Sequence, residues 1–356
     1  MEIVPLVKRL SEASGVSGYE NQVREVVREA FAPFADKVEV DALGNLIAFK
    51  QGIGPAPRPT IMIATHMDEI GLVVSSIEKG FVHFERVGGI DDRILLGQEV
   101  LIHGRSELPG IVGARPPHVL SSRERDRPIP YDKLLIDAGL CPEEAQTLIR
   151  TGDLITMRRD FVELKGGLVS GKALDNRASV AACAVCMEEL QRVHHDWDVY
   201  AVATTQEEVG LKGAITSAYG LEPDVGIAVD VTWADQPGAP EEYTYELGKG
   251  PTIACGPNFH PRLQEALVET ARALEMSHHV EPVVGGGSDA WAIQVTREGI
   301  PTALLSIPLR NMHSPVETVS IQDVKRVGRL LAAFIGTLVG IFLDSLAWNL
   351  GLEEGE

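Results

Sequence analysis

The chain has 356 residues, 44 % of them hydrophobic, which is enough to form one large packed domain or two smaller ones. Its 32 basic and 51 acidic residues give a formal net charge of −19. This charge argues against nucleic acid and anionic membranes as partners, because both recruit basic surfaces.

The amino-terminal part of the chain predicts two helices followed by strands. Helices are expected over residues 3–13 and 20–31, with Ser17 as the cap of the second. Residues 37–50 alternate in polarity and turn at Gly44-Asn45, a pattern typical of a hairpin. Residues 59–65 are continuously apolar, which indicates a strand that is buried on both faces.

From about residue 74 to 165 the sequence consists of short alternating runs separated by glycine and proline. This sequence pattern predicts a small β-rich unit, with a mobile loop in the charged stretch 121–130. We expect it to be an insertion, because the strands before it belong with those after it. The predicted division is residues 1–73 and 166–356 for the larger domain and 74–165 for the inserted domain.

After Gly166, predicted helices alternate with apolar strands. The helices are expected over 175–193, 210–219, 261–276, 288–297 and 320–347, and the strands over 198–205, 224–231 and 301–307. Such alternation predicts a three-layer α/β/α sandwich on a largely parallel sheet.

Three further features concern location. The amino-terminal segment lacks the basic region and apolar core of a secretion signal. The uncharged stretch 330–343 is shorter than the ~20 apolar residues that a membrane span needs. Four cysteines in a chain of this length do not form a disulfide framework. We expect a cytoplasmic protein.

Five segments place metal-binding side chains at or just after predicted strand ends. They supply His66 with Asp68, Asp175, Glu207 with Glu208, Asp230, and His313. Loops from several strands converge outside the carboxyl ends of an open α/β sheet, so these residues have a physical reason to meet.

Imidazoles and carboxylates are suitable ligands for two divalent ions, although they do not distinguish zinc from cobalt or manganese. In the pair Glu207-Glu208, one carboxylate can bind metal while the other accepts a proton from water between the ions. Asp68 is placed to receive the second N–H of His66 and to fix its tautomer.

Each of these motifs has an ordinary structural explanation when it is taken alone. His-x-Asp is often a packing detail, Asp230 can cap a turn, and His313 can be a satisfied core histidine. The ordinary explanation would have to hold independently at all five places, which favours a metal centre.

The motifs THMDEIG, KALDNR, VATTQEEVGLKGA, DVGIAVDVT, GGGSDA and IPLRNMHSPVE occur in an order that resembles the tetrahedral aminopeptidase family. That family of dinuclear metallopeptidases includes glutamyl and deblocking aminopeptidases. The resemblance covers nearly the whole chain. It implies an α/β catalytic domain interrupted by a β-rich dimerisation domain, and dimers that assemble into a tetrahedral dodecamer.

For individual residues, the resemblance implies that His66, Asp175 and Asp230 hold one ion. Asp175 would bridge to a second ion held by Glu208 and His313. Glu207 would be the general base, and Asp68 the partner that orients His66.

The function expected from the sequence is removal of amino-terminal residues from short peptides by a homo-oligomeric enzyme with two divalent ions, zinc or cobalt. One alternative is a metal-independent hydrolase of the glucanase type, which would use two carboxylates on either side of a sugar bond. Another is an inactive assembly protein with the same fold. Activity that survives chelation would favour the first, and a metal content near zero the second.

Overall fold

The computed structural model describes residues 1–121 and 129–347. The strands, in chain order, are β1 (Lys37–Val40), β2 (Leu46–Lys50), β3 (Thr60–His66), β4 (Gly71–Glu78), β5 (Phe81–Val87), β6 (Glu99–His103), β7 (Glu107–Gly113), β8 (Leu135–Asp137), β9 (Leu154–Met157), β10 (Val162–Glu163), β11 (Leu168–Gly171), β12 (Asp198–Thr204), β13 (Val225–Trp233), β14 (Thr252–Cys255), β15 (His279–Pro282), β16 (Thr302–Arg310) and β17 (Glu317–Ser320). The helices are α1 (Ile3–Glu12), α2 (Asn21–Phe31), α3 (Pro142–Leu148), α4 (Leu174–Glu189), α5 (Lys212–Leu221), α6 (Pro261–Ala273), α7 (Asp289–Gln294) and α8 (Ile321–Thr337).

The larger unit is a sandwich around a mixed sheet. Strands β12, β3, β13 and β16 are parallel neighbours at its centre, and β3 is buried from Ile61 to His66. Side chains alternate between the two faces of each strand. Helices α1, α2, α4, α6 and α8 pack with Ile61 and Ile63 in one core, and α5 and α7 pack with Met62 and Ala64 in another. The predicted α/β sandwich is therefore confirmed.

The prediction of a largely parallel sheet is wrong. Only the centre and the pair β14–β15 are parallel, whereas β1, β2, β17, β11 and β10 extend the sheet by antiparallel pairing, as does β14 against β16. The alternation of predicted helices and strands correctly indicated the parallel strands at the centre of the sheet. The hairpin of β1 and β2 was predicted, but the sequence did not identify β10, β11 and β17, short strands whose antiparallel pairing needs no crossover helix.

The smaller unit is a closed antiparallel barrel in the order β4-β5-β8-β7-β6-β9. It has its own core, which includes Leu72, Val82, Val100, Ile136 and Ile155. The predicted β-rich insertion is confirmed as a separate barrel between strands of the sandwich. Most of the stretch 121–130, predicted to be a mobile loop, lies outside the described residues.

The predicted helix 320–347 is wrong as a single element. Helix α8 ends at Thr337, and a 3₁₀ segment, Gly340–Leu346, follows across a bend of 101°. Leu338 and Leu346 pack in the same core as α8. The apolar pattern therefore continues past the end of the helix, and the sequence gives no sign of the bend. In the part of the chain that the structure describes, no single helix is long and apolar enough to cross a membrane. Within the same residues, only α8 and the 3₁₀ segment taken together have the length and composition of a span, and they are bent.

Candidate metal centre

The carboxyl ends of the central parallel strands open into a cavity of about 760 Å³. His66 is the last residue of β3, and Asp230 lies in the second half of β13. Glu207 and Glu208 follow β12, His313 follows β16, and Asp175 is at the start of α4. These six side chains all line the cavity, so the structure brings together the residues that the sequence predicted as ligands and base.

Asp175 lies between two imidazoles. Its Oδ1 is 3.2 Å from His66 Nε2, and its Oδ2 is 3.2 Å from His313 Nε2. Around His66 Nε2 are also Glu207 Oε2 at 3.8 Å and Asp230 Oδ1 at 3.9 Å. His313 Nε2 is 3.6 Å from Glu208 Oε1. Each imidazole therefore faces its own carboxylates, and Asp175 offers one oxygen to each group.

Ligand atoms within 4.8 Å of one another form three overlapping groups. One contains His66, Asp175 and Asp230, and a second contains Asp175, Glu208 and His313. The third combines His66 with Glu207 and Glu208. The first two groups share only Asp175, which is the arrangement that two neighbouring ions joined by one carboxylate require.

Asp68 is fully buried, and its carboxylate contacts the backbone of two residues of this cluster. Its Oδ1 accepts the N–H of Glu207 at 3.0 Å, and its Oδ2 accepts the N–H of Glu208 at 3.2 Å. Ser17 Oγ donates to Oδ2 at 2.6 Å. The prediction that Ser17 caps α2 is wrong, because this bond uses its hydroxyl and Glu20 precedes the first helical residue.

The orientation of His66 is compatible with metal binding. Its Nε2 faces the carboxylates. Its buried Nδ1 has no hydrogen bond to any of the described residues, and Asp68 Oδ1 lies 3.5 Å away. A ring nitrogen that faces a carboxylate while the other faces the ligand site is typical of zinc-binding histidines. With oxygen and imidazole donors in two groups, the residues fit two divalent ions.

Glu317 is a buried residue of the site that the sequence analysis missed. Its Oε2 accepts the N–H of Asp175 at 2.9 Å, and its Oε1 accepts the N–H of His313 at 2.8 Å. One carboxylate thus fixes the backbone of two candidate ligands. The available signal was an acid within the apolar run VETVS, which forms the buried strand β17.

Two buried cations, Lys172 and Arg177, are paired with a carboxylate outside the cluster. Lys172 Nζ lies 2.7 Å from Glu69 Oε2, and Arg177 Nη2 lies 3.1 Å from Glu69 Oε1. Arg177 also donates to Met67 O, which ties α4 to the loop between His66 and Asp68. These charges hold the loop in place and do not neutralise the cluster.

Burial and charge shift the titration of the cluster strongly. Burial raises the pKa of Glu207 to about 9, of Glu208 to about 8 and of Asp230 to about 7, and neighbouring carboxylates add to each shift. The hydrogen bond to Asp175 is the main cause that raises the pKa of His313 to about 10. Without a cation, buried carboxylates that crowd one another retain protons.

The barrel also contributes to the site. Gly89 lies in the loop after β5, and its carbonyl oxygen is 2.8 Å from His313 Nδ1. A Cβ at Gly89 would lie 2.9 Å from the same nitrogen, so a larger residue would push the ring away. The bond fixes the tautomer that leaves Nε2 free to face Asp175 and Glu208.

Comparison with known proteins gives consistent matches along the chain. A family model described as M42 glutamyl aminopeptidase matches residues 44–330. A lysyl aminopeptidase from Pyrococcus furiosus is 37 % identical over 94 % of this chain and 96 % of its own.

Two solved structures are also similar. A TET aminopeptidase from the marine sediment archaeon Thaumarchaeota archaeon SCGC AB-539-E09 has a TM-score of 0.90 and 33 % identity over 98 % of this chain and all of its own. The TET1 peptidase of Pyrococcus horikoshii, described as assembling into a tetrahedron or a large octahedral shell, has a TM-score of 0.84 and 34 % identity over 95 % of this chain and all of its own.

We predict that metal binding releases protons. Glu207, Glu208 and Asp230 have raised pKa values in the ion-free protein, and cations must displace the protons that they hold. Affinity should therefore fall as the pH is lowered from about 9 towards 6. Calorimetric titration with zinc in buffers of different ionisation enthalpy measures the released protons. Binding at pH 7 with no proton release would contradict this prediction.

We also predict that Gly89→Ala weakens one metal position. The new methyl group displaces the His313 ring, and loss of such an orienting bond typically lowers metal affinity ~10–100-fold. Metal content after dialysis at a fixed free-metal concentration should fall towards one ion per chain. Gly113→Ala is the matched control, because a Cβ there meets no atom of the described residues within 4 Å. Equal metal content in both variants would exclude a role for the barrel loop.

Proposed function

The chain belongs to the M42 glutamyl aminopeptidase family, and from this premise we propose that it is a two-metal aminopeptidase that removes amino-terminal residues from short peptides. Family membership makes it a peptide hydrolase. The number of ions, the roles of individual residues and the length of the substrate are the proposed part.

The observation that carries the proposal is the position of Asp175 between two imidazoles, 3.2 Å from each. His66, Asp175 and Asp230 would hold one ion, and Asp175, Glu208 and His313 the other. Two such ions, when bound, polarise a scissile carbonyl and make an attacking water more acidic. Zinc and cobalt both suit this donor set, and the residues do not choose between them.

Glu207 is the proposed general base. It lines the cavity beside His66, and its backbone is fixed by Asp68. Among the four acids of the cluster, only Glu207 lies outside the two groups that share Asp175. Glu207 would accept a proton from the attacking water and then donate it to the leaving amine. Asp68 would keep both Glu207 and His66 in position.

The free amino terminus of the substrate would bind near the same acids. An α-ammonium group is attracted by carboxylates that line a partly buried cavity, whereas an acetylated terminus has no charge to contribute. A cavity of about 760 Å³ accommodates a few residues and excludes a folded chain. These properties favour an exopeptidase that acts on short peptides, and the cytoplasm remains the predicted location.

The alternatives use the same residues differently. A metal-independent glucanase needs two carboxylates that flank a sugar bond. Here Asp175 and its neighbours face imidazole nitrogens, an arrangement suited to metal ligation. An inactive assembly protein would have no need for Glu207 or for a complete ligand set. Activity that survives complete chelation would favour the glucanase.

We further propose that the barrel, within the predicted domain 74–165, joins two chains and that such dimers form a tetrahedral dodecamer. The similar Pyrococcus horikoshii TET1 peptidase, which assembles into closed shells, supports this proposal. Ile111 of β7 is more than half exposed on the barrel, so its apolar side chain is accessible for such a contact.

For assembly, we predict that light scattering on the purified chain gives a particle of about twelve chains, the number that a tetrahedral arrangement of six dimers requires. Ile111→Glu should reduce the particle mass, because a charge in an apolar interface loses its hydration. A native protein that elutes as a single chain of 38.5 kDa would disprove the assembly.

For catalysis, we predict that Glu207→Gln and Glu208→Gln fail differently. Glutamine at 207 keeps the size of the side chain but cannot accept a proton. Turnover should fall by ~10²–10⁴, the usual contribution of a positioned general base. Metal content should stay near two ions per chain. Glutamine at 208 replaces an anionic ligand with a weak neutral one, so one ion should be lost and activity should partly return with added metal.

Metal analysis combined with kinetics on both variants separates the two roles. The variants are matched in size, charge change and position, since the residues are adjacent. Loss of metal in Glu207→Gln with retention in Glu208→Gln would show that the roles are reversed. Full activity in both variants would place the catalytic centre elsewhere.

A further inference from the structure

The cavity that contains the candidate metal centre extends well beyond it. Thr232, Tyr245, Glu281 and Val283 line its far part, together with the glycines of the segment that precedes α7. Glu281 belongs to β15, the strand beside β14, and it takes part in none of the metal-binding groups among the described residues. Glu281 therefore faces the space that a substrate side chain would occupy.

Two threonines hold the Glu281 carboxylate in place. Thr232 donates to its Oε1 and Thr252 to its Oε2, each at 2.6 Å. This distance is typical of a hydroxyl bonded to an ionised carboxylate. A carboxylate has about four lone-pair positions, so two bonds leave others able to receive a further donor. Burial raises the pKa of Glu281, while both hydroxyls favour its charged form.

The position of Glu281 relative to the metal centre follows from β13. Asp230 and Thr232 are two residues apart on this strand and point to the same face, about 7 Å apart along the chain. Thr232 binds Glu281 directly, so this carboxylate lies beside the second of these two positions. An amino-terminal residue bound at the metal centre would extend its side chain over this distance.

Charge balance decides which side chain fits. The metal centre contains four carboxylates, Asp175, Glu207, Glu208 and Asp230, whose charge two divalent ions would match. The cavity has two further acids, Glu281 and Glu242, and no lysine or arginine lines it among the described residues. Solvent screens the charge of Glu242, which is exposed, whereas Glu281 is partly buried and no cation among the residues lining the cavity compensates its charge. The cavity therefore attracts a cation at Glu281 and repels a further carboxylate there.

We propose that Glu281 makes this cavity select substrates whose amino-terminal residue is lysine or arginine; the inference rests on the proposed aminopeptidase function. The aliphatic stem of such a residue would pass Tyr245 and Val283, and its charged end would bind the free lone pairs of Glu281. An amino-terminal glutamate would place its carboxylate against Glu281 without a neutralising partner.

The test compares four aminoacyl amides on the metal-loaded, full-length enzyme: those of lysine, arginine, norleucine and glutamate. Norleucine has the same four-carbon stem as lysine but no ammonium group, so it isolates the contribution of the charge. Lysine and arginine should exceed norleucine in kcat/KM by ~10–100-fold, the value of one hydrogen bond to a charged group. The glutamate substrate should be the poorest of the four.

Glu281→Gln should remove this preference. The amide keeps the size of the side chain but carries no charge. Its oxygen can accept from one threonine, while its NH2 group can donate to the hydroxyl oxygen of the other. kcat/KM for lysine and arginine should fall ~10–100-fold, while norleucine should change by less than about threefold. Glu242→Gln is the matched control, because Glu242 lines the same cavity but is exposed to solvent. It should change the preference for lysine by less than about threefold, since solvent screens its charge.

The outcomes separate this inference from the proposed function. If the native enzyme hydrolyses norleucine amide as fast as lysine amide, the selectivity is wrong and the aminopeptidase stands. If none of the four amides is hydrolysed, both proposals fail. A Glu281→Gln variant that loses norleucine and lysine activity equally would show a structural role for Glu281 and overturn the inference. The comparison of lysine with norleucine amide is made on the native enzyme, so it does not depend on whether the Glu281→Gln variant folds.

Discussion

The rest of the site depends on one electrostatic constraint, which is the crowding of carboxylates around two imidazoles. Asp175, Glu207, Glu208 and Asp230 lie in a cavity where burial removes most of their hydration. Charges at such distances repel one another strongly unless protons or cations compensate them. The raised pKa values of three of these acids indicate how strongly the ion-free cluster resists ionisation. The proposed two-metal chemistry relieves the same constraint.

The surrounding structure holds these charges together mainly through the backbone. Asp68 accepts the N–H groups of Glu207 and Glu208, and Glu317 accepts those of Asp175 and His313. Asp68 thus joins the loop after β3 to the loop after β12, and Glu317 joins the start of α4 to the loop after β16. Gly89 adds a contact from the barrel, so the geometry of His313 depends on the position of the inserted domain. The site is therefore built by the sandwich and completed by its insertion.

The sequence identified the side chains that meet at the strand ends, because the ends of parallel strands converge whatever the details of the loops. It did not identify contacts in which a backbone atom takes part. Gly89 and His313 are 224 residues apart, and a carbonyl oxygen has no signature in the sequence. Glu317 was missed for the same reason, because its partners are the backbone N–H groups of Asp175 and His313, which no sequence motif marks. Local sequence patterns also predicted the wrong role for Ser17 and the wrong end for α8. The hydroxyl of Ser17 binds Asp68, and the residues after α8 pack in the same core as the helix.

The central claim is that two ions lie on either side of Asp175, and a crystal structure of the zinc-loaded protein with anomalous diffraction data tests it most directly. The account predicts two anomalous peaks per chain, one near His66 and Asp230 and the other near Glu208 and His313, with an oxygen of Asp175 beside each. A single peak, or two peaks of which neither lies next to Asp175, would contradict it.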